Sequence, residues 1–136
     1  MKISTFLCSL FFLISCDDGT KILYEHELPT SVWAASDVIT GTIEDLAPVY
    51  IRLHHTTDYP YENLYVKISR DTSHAILSIP LMDDQGLWKG HKSGASYVTD
   101  FRVAALDGAT FFDIEQYSRS PMLSGINAIQ IITKPE

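Results

Sequence analysis

The sequence predicts an all-β fold, an antiparallel β-sandwich or jelly-roll-like single domain, on three observations. Strict two-residue alternation of apolar and polar side chains recurs in short runs. Turn residues separate these runs at regular spacing, as in sandwiches and jelly rolls. No stretch sustains the 3.6-residue period of a helix; residues 118–123 could form a single turn at most.

The chain opens on a segment to be left out of the fold. Lys2 supplies a positive start, and Phe6 to Ile14 is an uncharged apolar run. It is far shorter than the roughly 20 residues a membrane-spanning helix needs, so it reads as an export signal. The run ends in Leu13-Ile14-Ser15-Cys16, which looks like a bacterial lipobox. Small Ser15 leaves the scissile bond open to a peptidase, and the Cys16 thiol is the acceptor for a diacylglyceryl group. The expected organisation is a lipoprotein signal peptide over 1–15, removed on export, a lipidated tether over 16–21, and a β-sandwich over 22–136.

Within that domain the strands follow in order. Val38 to Ile43 is a weak candidate. In 49–56, Val49, Ile51 and Leu53 alternate with Tyr50, Arg52 and His54. Leu64, Val66 and Ile68 alternate with Tyr65, Lys67 and Ser69; after the polar turn Arg70-Asp71-Thr72-Ser73, Ala75, Leu77 and Ile79 alternate with His74, Ile76 and Ser78. Those two runs and their turn read as a hairpin. Tyr97 to Ala104 is another weak candidate. Thr110, Phe112, Ile114 and Gln116 share a face, and Ile126 to Thr133 is a final β-branched run. Leu53, Leu64, Val66, Ile68, Leu77, Phe112 and Ile114 are the expected core.

Removing residues 1–15 of 136 leaves 121, the size of one domain with a real core. The formal net charge is −7, and loss of Lys2 takes it to −8. An acidic chain has no footprint for nucleic acid and no basic patch for anionic lipid. Of the two cysteines, Cys8 leaves with the signal and Cys16 is blocked. The mature domain then has no disulfide, no thiolate nucleophile and no cysteine metal site.

Few motifs carry chemistry. His54 and His55 are strand neighbours and point to opposite faces; His26, His74 and His91 lack ligand spacing. Asp83-Asp84-Gln85-Gly86 reads as a turn, with too few carboxylates for calcium. No nucleophile elbow, phosphate loop or dinucleotide fingerprint occurs. No metal, cofactor or small-molecule substrate is expected. Asp58-Tyr59-Pro60-Tyr61 lies between two strand patterns, where Pro60 ends pairing and holds Tyr59 extended. The commoner reading packs these tyrosines over one end of the sandwich; the functional one makes Tyr59, Tyr61 and Trp88 a preorganised aromatic surface for a partner.

Three segments, Asp58 to Tyr65, Pro80 to Gly90 and Phe112 to Gln116 with Leu123 to Ile126, together with the lipobox, resemble the gliding motility lipoprotein GldH family of the Bacteroidota. The chain departs from that pattern at Tyr117-Ser118, where members often have Ala-Met; the Arg that follows is matched by Arg119. The resemblance implies a lipoprotein of the outer membrane, associated with gliding motility and the type IX secretion apparatus, with no catalytic residues to carry over. The expected function is therefore a non-enzymatic, lipid-anchored component of that envelope machinery, acting through protein–protein contacts. The alternative is a glycan-binding jelly-roll lipoprotein, with Trp33, Tyr59, Tyr61, Trp88 and Tyr97 as stacking faces.

Overall fold

Alternation along the chain becomes alternation across two stacked sheets. A computed structural model describes residues 19–44, 46–108 and 111–135. The expected signal peptide over 1–15, residues 16–18 of the expected tether with Cys16 among them, and Thr110 lie outside the described residues.

Eleven strands form among the described residues: β1 (Lys21–Glu27), β2 (Val32–Ala34), β3 (Ile39–Gly41), β4 (Val49–His55), β5 (Asn63–Arg70), β6 (Ser73–Pro80), β7 (His91–Ser93), β8 (Ser96–Arg102), β9 (Phe112–Gln116), β10 (Met122–Ser124) and β11 (Ile126–Thr133). A five-stranded sheet runs β1-β11-β4-β8-β7, a four-stranded sheet runs β3-β9-β5-β6, and β10 pairs with β2. All these pairings are antiparallel. The fold is the all-β sandwich the sequence predicts.

The β4 pattern places Val49, Ile51, Leu53 and His55 inward, while Tyr50, Arg52 and His54 are half-buried on the other side. From the facing sheet come Leu64, Val66, Ile68, Phe112 and Ile114, all buried in the same core as Ile129 and Ile131. Tyr24 of β1 meets Phe112 edge-on across the core, ring centres 6.2 Å apart. Gly41 packs closely here: a β-carbon would stand 3.0 Å from the Phe112 ring, which would have to shift by a few tenths of an ångström to admit it. Of the expected core, Leu77 alone is only partly buried. It lies on β6, which borders the four-stranded sheet and has neighbours on one side only.

The outer face of the larger sheet carries a lattice of charge. Arg52 grips Asp100 through two hydrogen bonds of 2.7 and 3.0 Å. Lys134 reaches the same carboxylate at 2.7 Å and lies 4.7 Å from the centre of the Tyr50 ring. Burial opposes ionisation of Asp100, but hydrogen bonds from Arg52 and Lys134 outweigh it and hold its pKa below the ordinary carboxylate value.

Three differences from the sequence reading have local causes. The sequence pattern marks order near Ile22 but not strand β1, because a bulge between Ile22 and Tyr24 breaks its alternation. Residues 122–124 form strand β10 against β2 instead of ending a helical turn. Ala104 leaves the expected 97–104 strand and starts a 3-10 turn, Ala104–Leu106.

Strand direction sorts the connections between two poles. The beginnings of β1 and β4 and the ends of β11 and β8 share one pole: Lys21 pairs with Thr133, Thr133 with Val49, and Tyr50 with Arg102. Arg70, at the end of β5, joins that pole by donating to the carbonyls of Ala105 and Asp107. The chain toward Cys16 therefore leaves from this tether pole. The 56–62, 81–90 and 117–121 connections lie at the opposite, distal pole.

Candidate functional site

An open groove of about 970 Å³ runs along the outer face of the four-stranded sheet toward the distal pole. Tyr65 of β5 and Ile76 of β6 form its floor, Tyr61, Glu62 and Asn63 one wall, and Tyr117, Ser118 and Arg119 the other. Both floor residues occupy the outward positions of their strands. Four large side chains are open to solvent here: Tyr61 at 49%, Tyr65 at 44%, Ile76 at 47% and Tyr117 at 52%.

Each wall is held from beneath. Tyr59 is 3% exposed, and its hydroxyl donates to the Asn63 carbonyl at 2.7 Å. Burial pushes the Tyr59 phenol well above its ordinary pKa, so it stays protonated as that donor. Its ring meets Tyr61 edge-on at 5.7 Å, which supports Tyr61 from the core side. Across the groove the buried Gln116 side chain organises the other wall. Its amide nitrogen donates to the Ser120 carbonyl at 2.9 Å, and its oxygen accepts from the Ser118 N–H at 3.0 Å. The Tyr117 N–H donates to the Tyr65 carbonyl at 2.8 Å, fixing the second wall to the floor.

The sequence-derived aromatic surface is thus redistributed. Tyr61 presents its ring to the groove. Tyr59 borders the groove as a core residue and cannot offer its ring to a partner. Trp88 lies outside the groove lining, half-buried, after the 83–86 turn. That turn has the expected form: Asp83 accepts from the Gln85 and Leu87 N–H groups, and Gly86 takes a φ of 81°. Tyr59 and Trp88 are nevertheless joined through His55. The His55 ring lies 6.4 Å from Tyr59, 4.8 Å from Trp88 and 5.8 Å from Tyr97, stacked on the last. Sequence reasoning misses Tyr65, Ile76 and Tyr117 as site residues, although Tyr65 and Ile76 are large apolar side chains at positions where alternation calls for polar ones.

The groove offers aromatic faces, phenol hydroxyls, one carboxylate at Glu62 and one guanidinium at Arg119. Among the described residues no group of three or more His, Cys, Asp or Glu side chains could hold a metal ion. No helix among them is long and apolar enough to cross a membrane.

Fold and groove together define a small antiparallel β-sandwich domain with an exposed aromatic groove on one sheet. The chain belongs to the GldH lipoprotein family, whose family model matches residues 23–131. The match covers nearly all the described residues and all three segments that carry the resemblance. Membership makes this a lipoprotein, a membrane-anchored protein of the cell envelope, and suggests a relation to gliding motility. No curated protein matches the chain.

Proposed function

We propose that the protein is a non-enzymatic component of the envelope machinery behind gliding motility and type IX secretion, held to the outer membrane by acylated Cys16. It acts by docking another envelope protein in the Tyr61–Tyr65–Tyr117 groove. The observation that carries this reading is the cluster of four exposed large side chains in one groove, on a pole turned away from the tether. Tyrosine contributes wide contact area at small entropic loss and is enriched among residues that dominate binding energy. The domain's negative charge would steer a basic partner toward it.

The test is capture of cross-linked partners from membranes by the lipidated protein and by Tyr65→Ala with Tyr117→Ala. The double variant should lose the partner while melting like the wild type. Equal capture by both proteins would sink the groove as the docking site. Glu62, Asn63 and Arg119 beside aromatic faces favour a second reading, a glycan site. Micromolar binding of a polysaccharide by the wild type, with no envelope protein captured, would establish that reading instead.

A further inference from the structure

Exposed apolar side chains also gather at the tether pole, away from the groove. Ile22 is 52% exposed, Leu46 91% and Phe111 48%. Strand register brings them to one end of the sandwich. Ile22 is the second residue of β1, beside the β11 terminus. Leu46 lies in the connection from Gly41 to Val49, and Lys21, Leu23, Thr42, Ile43 and Glu44 line a single cleft of about 320 Å³, so β1 starts beside that connection. Phe111 directly precedes Phe112, which pairs with Gly41.

The chain outside the strands supplies the reason for a lipid partner. Cys16 lies five positions before Lys21. Fully extended, that chain spans about 18 Å at most. If Cys16 carries the acyl chains, this pole is confined to the immediate neighbourhood of the bilayer surface. The interfacial layer there is roughly 5–8 Å deep, within reach of side chains projecting from a loop. Leucine, isoleucine and phenylalanine gain from entering such a layer in proportion to the apolar area they bury.

We propose that Ile22, Leu46 and Phe111 dip into the lipid interface and seat the domain on the membrane that holds its acyl chains. The proposal rests on the reading of Cys16 as the acylated residue. It gives the tether a second point of attachment, which fixes the orientation of the sandwich and turns its groove away from the bilayer. Charge plays little part in the seat. Arg102 pairs with Asp107 at 2.7 Å, Arg70 with Asp71 at 3.6 Å and Lys134 with Asp100 at 2.7 Å, so among the described residues these cations are engaged by carboxylates rather than offered to anionic lipid. Attachment should therefore persist on zwitterionic membranes and at high salt.

The experiment uses the lipidated protein in phosphatidylcholine vesicles containing lipids with a nitroxide near the headgroup. Leu46→Cys, Phe111→Cys and, as a distal control, Tyr61→Cys each receive an environment-sensitive dye; the acylated mature chain has no other free thiol to label. All three positions are exposed, and matching melting transitions will confirm that each labelled protein folds. Dyes at 46 and 111 should emit at shorter wavelength and be quenched by the nitroxide lipids in low and high salt, while the dye at 61 should show neither effect. Aqueous emission without quenching at 46 and 111, or equal quenching at all three positions, overturns the proposal. The intact mass separates the two levels of failure. Without acyl mass, both the anchor and the seat are wrong. With acyl mass but no quenching at 46 and 111, only the seat is wrong.

Discussion

Gly125 lies against the backbone of Tyr59 so closely that a β-carbon there would stand 2.7 Å from the Tyr59 α-carbon. Its φ of 88° is itself a conformation other residues adopt at a cost. The position is also fixed by hydrogen bonds, from the Gly125 N–H to the Ser31 carbonyl and from the Thr56 N–H to the Gly125 carbonyl, both 2.8 Å. Gly125→Ala cannot move away without breaking them. The variant should lose roughly 2–5 kcal/mol of stability through crowding and backbone strain. Urea denaturation would check this, and an unchanged midpoint would show that the Tyr59 connection yields freely.

Ile114 and Tyr117 are three residues apart and should respond in opposite ways. Ile114 is fully buried between the sheets, so Ile114→Ala should cost about 2–5 kcal/mol through lost burial and a residual cavity. Tyr117 is 52% exposed, and Tyr117→Ala should stay within about 0.5 kcal/mol. Thermal melts of both variants decide it. A large loss at Tyr117 would mean that its ring supports the fold.

The central strands were legible because their alternation matches the faces they present. Val49 to His55 reads in the sequence as it stands in the sheet, since one side meets a core and the other a polar layer. Edge elements were less legible. A bulge interrupts β1, and β7 is three exposed residues, His91–Ser93, with no apolar face to produce a pattern. The groove was half legible. Tyr61 stood out beside its proline, whereas Tyr65 and Ile76 were hidden inside otherwise ordinary strands. Their meeting depends on the pairing of β5 with β6, and the second wall depends on how Gln116 folds the chain after β9. Neither is a local property. Tyr59 and Tyr61 look alike in sequence, yet the Tyr59 hydroxyl finds the Asn63 carbonyl from within the core while Tyr61 stays exposed.

Gln116 is the positioning residue for the second wall. Gln116→Leu keeps much of the side-chain volume but leaves the Ser118 N–H and the Ser120 carbonyl without these partners. The expected cost is about 1–3 kcal/mol. More telling, hydrogen exchange should accelerate across 117–120 while that of β5 stays close to the wild type. Partner capture should weaken although every exposed groove residue is intact. Unchanged exchange in that segment would show that the wall is held without Gln116.

His55 makes the stability of the distal pole depend on pH. Its side chain is fully buried. Nδ1 lies 3.1 Å from the Thr56 carbonyl, so Nδ1 carries the proton, and Nε2 has no partner among the described residues. Burial lowers the His55 pKa from its ordinary 6.5, against the smaller, opposing effect of the Thr56 carbonyl. The unfolded chain therefore binds this proton more readily than the folded one. Stability from a neutral His55 is fully present above 6.5 and is lost as pH falls through the lower folded value. Asp100 adds a separate loss in stronger acid, because its folded pKa lies below the ordinary 3.8. His55→Phe preserves a ring between Trp88 and Tyr97 but cannot take up a proton. Melting temperature measured from about pH 8 to pH 5 should fall more steeply for the wild type than for His55→Phe, while the Asp100 contribution should be lost from both on further acidification. Parallel curves over the upper range would show that burying the neutral ring has no bearing on stability there.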